Sequence, residues 1–503
     1  MDRRKFIKLS VVSAAGFAGF SRASSLAADS TRKRPNILHI LIDDLGFADV
    51  GYNGGGFCET PNIDRLATQG MRFTNGYAPA PICSPSRAAF LTGKTPARLN
   101  FEFVTKFEGN SYDWDQAWRR QWDGFEMVPP PFTLNLPIEE VTIADAMKTA
   151  GYATGIAGKW HVAAHHGSYN GWSRTHGPRK QGFDWGFETV GSHPYGWKKS
   201  EKGKFGPYEP GSFPEDDLTA ESIGFMEENA KNTGKPFFLF VSHHYVHTPL
   251  GTKCKWLADK YRAKAKALGR DYSDDQITYA AFVETMDHYV GRLLDALERL
   301  GIADDTLVFF TSDNGGHPSH AFNAPLRGSK WNLYEAGVRV PTIARLPGVI
   351  AANSICDTPV MHTDCLPTYC QIAGAKPPAA EDIDGRDIMP LMRGSSSEEL
   401  ENRCLYWHFP YYHPEGWKNY SKRPEEIGVN DGYISRTRPQ SSIRSGDYKL
   451  IYFHDSENCE LYNLDKDINE QNELSGEMPE KTRLLKEQLL DYLNKVNARL
   501  PRK

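Results

Sequence analysis

A chain of 503 residues with 40% hydrophobic and 24% charged residues has the composition of a globular protein with more than one structural unit. Its net charge of −4 gives no support for nucleic-acid binding, which usually comes with a basic bias. Beyond the first thirty residues, no stretch reaches the ~18 apolar residues that a membrane-spanning helix requires.

The first thirty residues have the pattern of an export signal. Arg3 and Arg4 form a twin-arginine pair, a mild apolar run follows at 11–20, and Ala27 and Ala28 offer small-residue cleavage points. We therefore expect residues 1–28 to be a twin-arginine signal peptide, with the twin-arginine translocon as a partner and a periplasmic or secreted destination. The alternative is a basic tail that stays in the cytosol.

The sequence after this signal opens on a short aliphatic run at 37–42, which predicts a central parallel strand buried on both faces. Asp43 and Asp44 follow at the carboxyl end of this strand, where open α/β sheets place their ligands. Two adjacent carboxylates at a buried strand end are costly unless a cation neutralises them. The pair therefore favours a metal site, and a simple turn cap is the alternative.

The segment around Cys83 predicts a loop that runs into a helix. Ser84 suits the N-cap and Pro85 suits the first helical position. Cys83 is then expected just ahead of a helix N-terminus, which favours anions, and Arg87 adds a fixed positive charge one turn later. The residues alone indicate a nucleophile at an anion site, with a small buried cysteine as the alternative.

The motif C-x-P-S-R at 83–87, followed by Leu-Thr-Gly at 91–93, resembles the signature of the sulfatases. In that family a formylglycine-generating enzyme oxidises the cysteine to formylglycine, whose hydrate is the nucleophile. The resemblance implies that Cys83 is converted in this way. It also implies that Asp43 and Asp44 are calcium ligands, because sulfatases carry such a pair after the first strand.

A second resemblance follows the strand predicted at 152–157. The block Gly-Lys-Trp-His at 158–161 resembles a sulfatase segment whose lysine and histidine contact the sulfate and the nucleophile. The resemblance implies these roles for Lys159 and His161. Without it, a lysine and a histidine near a strand end would more often be surface residues.

The buried strand predicted at 236–242 leads into a histidine-rich turn. His247 stands in an H-T-P turn that resembles the family segment whose histidine faces the leaving group. His243 and His244 are expected to pack or to support the site. A zinc site formed by the three histidines is the rival interpretation, and we disfavour it because oxygen ligands dominate the rest of the site.

The strand predicted at 307–312 ends in Asp313 and Asn314, which supply two more oxygen ligands at a strand terminus. This S-D-N-G block resembles the family segment that holds the remaining calcium ligands. Together with the aspartate pair after the first strand and the modified Cys83, it implies a calcium site, with magnesium as the alternative ion.

The block at 326–341 resembles the sulfatase pattern G-x-K…Y-E-G-G-x-R-x-P, with Ala336 in place of the first glycine of the pair. The resemblance implies that Lys330 meets the sulfate. A solvated surface lysine is the alternative.

Beyond residue 395 the composition shifts, and segments at 433–437, 440–444, 448–453 and 460–463 predict a small antiparallel sheet with a closing helix at 481–496. The resemblance covers nearly the whole mature chain and implies an α/β fold. We expect a large mixed sheet sandwiched by helices in a catalytic domain at 33–395, and a smaller α+β subdomain at 396–503.

The reaction implied by the resemblance is hydrolysis of a sulfate ester. Formylglycine hydrate attacks sulfur with help from calcium, while Arg87, Lys159 and Lys330 hold the sulfate oxygens. His247 protonates the leaving alcohol, and His161 assists the step that regenerates the aldehyde. The cations and histidines thus have separate expected roles.

Aromatic and glycine-rich segments at 100–137 and 165–206 favour a sulfated carbohydrate over a small aryl sulfate as substrate. Local packing of a lid is the other reading of the first segment. Three rival functions remain open: a phosphate-ester hydrolase of the same fold, a sugar-binding protein with an unmodified Cys83, and a cysteine hydrolase.

Overall fold

The computed structural model describes residues 34–107, 122–232, 234–412 and 437–503. The predicted signal peptide at 1–28 and most of the strand predicted at 433–437 lie outside these ranges. The described residues belong to one compact unit, Arg34–Lys503, and the domain limits at 33–395 and 396–503 stay predictions. Within the described ranges, we find no helix with the length and apolar character needed to cross a bilayer.

The strands share short lengths and mostly buried side chains. In chain order they are β1 (Asn36–Ile42), β2 (Met71–Phe73), β3 (Gly76–Tyr77), β4 (Ala153–Gly158), β5 (Trp185–Phe187), β6 (Phe237–Ser242), β7 (Thr306–Ser312), β8 (Thr342–Arg345), β9 (Ser354–Cys356), β10 (Val360–Met361), β11 (Cys404–Phe409), β12 (Gln440–Ser445), β13 (Tyr448–Phe453) and β14 (Cys459–Asn463).

The helices connect and cover these strands. In chain order they are α1 (Pro61–Gln69), α2 (Cys83–Thr92), α3 (Pro96–Leu99), α4 (Ile143–Thr149), α5 (Asp217–Ala230), α6 (Lys255–Ala267), α7 (Asp274–Arg299), α8 (Glu335–Val338), α9 (Cys365–Ala373), α10 (Met389–Met392), α11 (Glu398–Asn402) and α12 (Pro479–Lys495).

The large sheet has the strand order β5-β4-β6-β1-β7-β8-β2-β9. The strands from β5 to β7 run parallel, whereas β8 is antiparallel to β7 and to β2. In the register of the central strands, Ile37 pairs with Phe238 on one side and Leu307 on the other. The predicted mixed sheet is thereby confirmed.

Helices cover both faces of this sheet, and alternate residues of β1 point into the core on one face or the other. Leu38 and Ile40 belong to a core shared with α1, α5, α6 and α7, and Ile37 and Leu41 belong to a core shared with α2, α4 and α9. Each such buried aliphatic side chain contributes roughly 1.5–3 kcal/mol. A near-continuous apolar strand therefore becomes the centre of a three-layer unit.

The last four strands form a separate antiparallel sheet in the order β11-β12-β13-β14. Helix α12 packs Leu485, Leu489 and Leu493 against this sheet in one core. The expected small antiparallel sheet with a closing helix is present, and β12, β13, β14 and α12 lie within a few residues of the predicted bounds. Strand β11 was not predicted, and the strand predicted at 433–437 lies mostly outside the described residues.

Candidate active site

Four neighbouring strands end at the same edge of the large sheet. β6 and β7 flank β1, and β4 lies beside β6. Asp43 follows β1, Lys159 follows β4, and Asp313 follows β7. Because these strands are parallel, their carboxyl ends lie side by side, and residues far apart in the chain meet there.

Cys83 is the first residue of α2, so the helix begins earlier than the sequence predicted. Ile82 and not Ser84 is the N-cap residue. The hydroxyl of Ser84 instead accepts a hydrogen bond from the backbone N–H of Thr105 at 3.2 Å. The buried cysteine therefore lies in the first turn itself, where backbone N–H groups have no partner within the helix.

Metal-ligating groups cluster beside Cys83. One ligand atom each of Asp43, Cys83 and Asp313 lie within 4.8 Å of one another. Ligand atoms of Asp43, Asp44 and His247 satisfy the same limit. Asp43 belongs to both groups, so the two groups form one connected cluster.

Oδ1 of Asp43 in this cluster and Oδ1 of Asn314, whose amide donates to Asp44, are buried and accept no hydrogen bond from the described residues. Burial and the charge of Asp43 raise the pKa of Asp313 to about 6, although Arg87 opposes the shift. Buried polar atoms are normally paired, so both observations indicate missing positive charge. Carboxylate and amide oxygens suit calcium or magnesium, and Asp43, Asp44, Asp313 and Asn314 therefore fit such an ion.

Arg87 is a fully buried cation that ties the strand ends together. Its Nε donates to Oδ2 of Asp313 at 2.8 Å, and its Nη2 lies 2.7 Å from the same oxygen and 3.7 Å from Oδ1 of Asp43. Nη1 donates to the carbonyl of Lys159 at 3.2 Å and to the hydroxyl of Ser242 at 2.5 Å. Nη2 alone lacks a well-directed acceptor, so it is the part of the guanidinium left for a ligand oxygen.

Lys159 and Lys330 each pair with one member of the adjacent aspartates. Nζ of Lys159 lies 2.5 Å from Oδ2 of Asp43, and Nζ of Lys330 lies 2.7 Å from Oδ2 of Asp44. Burial opposes the ionisation of Asp44, but Lys330 and His247 outweigh it and hold the pKa of Asp44 well below its usual range. Asp44 thus keeps its charge because a cation lies against it.

The two histidines predicted to be catalytic end a row of aromatic rings, which we call the ring row. His161 and His165 have ring centroids 5.3 Å apart, and the distances from His165 to Tyr169 and from Tyr169 to Tyr195 are 4.9 and 5.5 Å. Oη of Tyr195 lies 3.0 Å from Nδ1 of His247. The ring row therefore connects His161 to His247 along one side of the site.

His161 has both ring nitrogens buried, and neither has a hydrogen-bond partner within the described part of the chain. Its backbone has a left-handed φ of 57°, two residues after the lysine of the same block. Burial and the charge of Lys159 hold the pKa of His161 well below its usual value. The imidazole is therefore neutral and offers one N–H and one lone pair to a ligand.

His247 carries its proton on Nδ1, because this atom lies 2.5 Å from the carbonyl of Thr248. Its Nε2 faces Oδ2 of Asp44 at 3.7 Å. Burial and the charge of Lys330 lower the pKa of His247 to about 3. Nε2 is the atom that can take up and return a proton beside the carboxylate cluster.

His243 and His244 take no part in either group of metal-ligating atoms among the described residues. Nε2 of His244 lies 3.2 Å from the carbonyl of Thr189, and the ring of His243 stacks with Tyr289 at 6.4 Å. These contacts support a packing role and not a three-histidine metal site.

The charge state of Cys83 bears on the rival function of a cysteine hydrolase. Burial raises the pKa of the Cys83 thiol, although Lys159 and Lys330 oppose the shift. The metal-ligating group that contains Cys83 pairs it with two aspartates and with no histidine among the described residues. A buried neutral thiol without an adjacent base is a poor nucleophile.

Ser242, His165 and Tyr195 touch the predicted residues but were not predicted to do so. Ser242 donates to the carbonyl of Lys159 at 2.7 Å. Because Ser242 ends a buried strand, the rule that located Asp43 could have located it. His165 and Tyr195 lie in irregular segments, whose path no periodicity predicts.

Comparisons with known proteins agree with this geometry. The family profile described as Sulfatase matches residues 35–375, and one described as N-sulphoglucosamine sulphohydrolase, C-terminal, matches residues 329–425. A protein named Sulfatase from Formosa agariphila is 34% identical, with 95% of this chain and 90% of that protein covered. The N-acetylgalactosamine-6-sulfatase of Mus musculus is 33% identical, with 74% and 68% covered.

A solved structure shows the same fold over nearly the whole chain. The crystal structure of Ps i-CgsB in complex with k-i-k-neocarrahexaose has a TM-score of 0.69 and 25% identity, and the match covers 92% of this chain and 93% of that one. The matched profile spans the strand ends, the cysteine helix and the lysine blocks that form the site. The chain belongs to the sulfatase family, whose members hydrolyse sulfate esters.

Proposed function

We propose that this sulfatase removes a sulfate group from a carbohydrate, with Cys83 converted to formylglycine and a calcium ion held by Asp43, Asp44, Asp313 and Asn314. One observation supports this proposal best: three buried cations and four oxygen-bearing side chains lie together at the first turn of the cysteine helix. Such a site provides both a place for a sulfate group and a place for a metal ion.

When bound, the calcium ion would polarise the nucleophilic hydroxyl and offset negative charge on a sulfate oxygen. The chain itself orients the sulfate through Arg87, Lys159 and Lys330. Their ion pairs with the carboxylates fix these cations before substrate arrives, so little reorganisation is needed as charge develops. The function of the three cations is therefore preorganised binding of the sulfate oxygens.

The two histidines move protons on opposite sides of the sulfate. His247, neutral at rest with its proton on Nδ1, takes up a proton at Nε2 and then gives it to the oxygen of the leaving alcohol. His161 is neutral with both nitrogens unpaired, and it accepts a proton from residue 83 as the sulfate is released. The ring row between them lines the path of the sugar.

The carbohydrate assignment rests on the ring row and on the named relatives. Aromatic faces offer large contact areas with a polar edge, which suits a sugar ring. One relative is named N-acetylgalactosamine-6-sulfatase, and the structural neighbour is in complex with neocarrahexaose. A small aryl sulfate would not need contacts along the whole ring row.

Export is part of the proposal. The twin-arginine pattern at 1–28 suits a protein whose cysteine is modified and whose metal is bound before it leaves the cytoplasm. Fractionation of cells that express the full chain should find a cleaved protein outside the cytoplasm. An uncleaved cytosolic protein would contradict this part.

The central test is mass spectrometry of the peptide that contains Cys83, from protein made with a formylglycine-generating enzyme. We expect an aldehyde in place of the thiol, together with release of sulfate from sulfated sugars and loss of this activity on treatment with a chelator. Cys83→Ala should fold and show no turnover. An active protein with an unmodified thiol, or faster hydrolysis of phosphate than of sulfate esters, would overturn the proposal.

A further inference from the structure

Residues 105–107 lie against the first turn of the cysteine helix and have no role in the proposed reaction. The Thr105 N–H is bound to Ser84 in the first turn of the cysteine helix. The carbonyl of Lys106 accepts the backbone N–H of His165 at 2.9 Å. The segment is therefore fixed between the helix that carries Cys83 and the segment that carries Lys159 and His161.

Lys106 is a half-buried cation without a carboxylate partner among the described residues, whereas Lys159 and Lys330 are each ion-paired. Its ammonium lies 5.4 Å from the ring centre of Phe103 and 5.9 Å from that of Phe132. Burial lowers the pKa of Lys106, and the nearby Cys83 opposes the shift. An unpaired charge in such a place is costly unless a ligand supplies the counter-charge.

His165 gives a second, independent indication of a ligand. Its side chain is buried, and neither ring nitrogen has a hydrogen bond of normal geometry among the described residues, although the backbone of Thr105 lies close enough to oppose the lowering of its pKa. The ring lies between those of His161 and Tyr169 in the ring row. The charge of Lys106 acts on this imidazole, and the two segments are joined by a backbone hydrogen bond. The ammonium has no carboxylate partner among the described residues, so the two side chains are a donor pair for an oxyanion.

We propose that Lys106 and His165 bind a second acidic group on the sugar whose sulfate ester is hydrolysed, so that the enzyme prefers saccharides with two oxyanions. This inference rests on the proposed function. The cations at the carboxylate cluster are matched to the scissile sulfate, whereas Lys106 has no carboxylate partner among the described residues. The second group is a carboxylate or another sulfate, since both present oxygens that an ammonium and an imidazole N–H can bind.

The test is calorimetric binding to the full chain with Cys83→Ala, which cannot consume its ligand. One pair of probes is N-acetyl-D-glucosamine 6-O-sulfate, which is neutral at position 2, and D-glucosamine 2-N,6-O-disulfate. A third probe is a 6-sulfated N-acetylhexosamine linked to a uronate. We expect one dianionic probe to bind about 10-fold or more tightly than the monosulfate, because it gains a charge-assisted hydrogen bond. Preference for the disulfate or for the uronate identifies the second group.

Adding Lys106→Met should remove this preference and leave monosulfate binding within about 3-fold, because the scissile sulfate keeps its own cations. His165→Phe, which retains the ring, should reduce the preference in the same way. Lys253→Met is the matched control, since Lys253 is also half-buried over an aromatic ring, 4.1 Å from the centre of Trp197. It should leave all three affinities unchanged.

Equal binding of the three probes by the parent, or equal loss for all probes in Lys106→Met, would overturn the inference. Thermal melting of each variant separates a lost contact from a lost fold. Because binding is measured without turnover, the result is independent of the formylglycine chemistry. Failure of the proposed function would show instead as absence of sulfate release by the unsubstituted enzyme.

Discussion

The ammonium nitrogen of Lys330 lies 2.7 Å from Oδ2 of Asp44, and both side chains are buried. A lysine expected to bind sulfate therefore neutralises a carboxylate expected to bind metal. The same arrangement joins Lys159 to Asp43 at 2.5 Å. The sulfate-binding cations and the metal ligands thus form one charge network, in which a bound cation and a lysine compete for the same oxygen.

We predict that Lys330→Met makes the protein more dependent on calcium for stability. Removing one partner of a buried ion pair leaves an uncompensated charge, which costs about 3–5 kcal/mol. Asp44 would be that charge in calcium-free protein, and a calcium ion would neutralise it. Differential scanning calorimetry with and without calcium should show a lower Tm for the calcium-free variant and a larger increase with calcium than in the parent.

Lys94→Met is the control for this prediction. Lys94 pairs with Glu140 at 2.6 Å, but both side chains remain about one-fifth exposed. Such pairs contribute about 0–1 kcal/mol, so its Tm should change little and its response to calcium should match that of the parent. An equal calcium response in Lys330→Met would show that Asp44 holds no cation.

We predict that Tyr195→Phe lowers kcat/KM about 3- to 10-fold, since a neutral hydrogen bond contributes about 0.5–1.5 kcal/mol. The change removes the hydroxyl that lies 3.0 Å from Nδ1 of His247 and keeps the ring. The carbonyl of Thr248 still holds the imidazole, so the loss is partial. Steady-state kinetics should place it mainly in kcat, with Tyr448→Phe in the C-terminal sheet as a neutral control. A change confined to KM would assign Tyr195 to sugar binding alone.

Much of the site could be predicted because its residues follow buried strands. Asp43, Lys159 and Asp313 each stand directly after an apolar run, and parallel strands must end at one edge. The order of the strands and the pairing of each lysine with one carboxylate could not be derived in this way. They depend on the register of β1 against β6 and β7, which strand composition does not specify.

The residues that the sequence did not reveal lie on loops. Lys106 and His165 are brought together where two irregular segments pair through their backbones, and no period or spacing in the sequence predicts this pairing. The predicted start of α2, with Ser84 as the N-cap, was wrong for a related reason. The Ser84 hydroxyl, a good N-cap by type, is occupied by Thr105 from a distant loop, so tertiary contact outweighed local preference.

We predict that Lys449→Met destabilises the contact between the C-terminal sheet and the main body, and more so at pH 8 than at pH 5. Nζ of Lys449 lies 2.7 Å from Glu335 and 3.1 Å from Glu470, all three buried. Burial favours neutral Glu335, yet Lys449 and Arg339 hold its pKa well below the usual range. Burial and Glu335 raise the pKa of Glu470 to about 7, against the effect of Lys449.

The sign of the pH effect follows from these shifts. The depressed pKa of Glu335 contributes stability above its unfolded pKa of about 4.3, and this stability is lost as the pH falls through the folded value. Without Lys449, the negative charges of Glu335 and Glu470 lose the cation between them. Their repulsion is larger at pH 8 than at pH 5, because Glu470 is protonated at pH 5. Urea unfolding should show a loss of about 3–5 kcal/mol at pH 8 and a smaller one at pH 5. Lys255→Met, which breaks an exposed pair with Asp259, should have little effect at either pH.

We predict that Gly158→Ala reduces both stability and activity, because this glycine sets the position of Lys159. Its φ is +94°, and an added Cβ would lie 2.2 Å from the carbonyl oxygen of Ser242. That same carbonyl accepts the backbone N–H of Lys159 at 2.8 Å. Left-handed backbone strain costs about 1–2 kcal/mol, and overpacking costs a further 1–3 kcal/mol. To relieve the overlap, the end of β4 must move away from β6, and Lys159, which follows β4 directly, moves with it.

Gly151→Ala separates the cost of the backbone strain from the cost of the overpacking. Gly151 has a φ of +84°, but no atom lies within 4 Å of its added Cβ, so only the backbone strain of about 1–2 kcal/mol applies. Denaturant unfolding should rank Gly158→Ala as the less stable variant, and kcat/KM should fall in it alone. If the two variants were equally stable and equally active, the close approach of β4 to β6 would not be what positions Lys159 against Asp43.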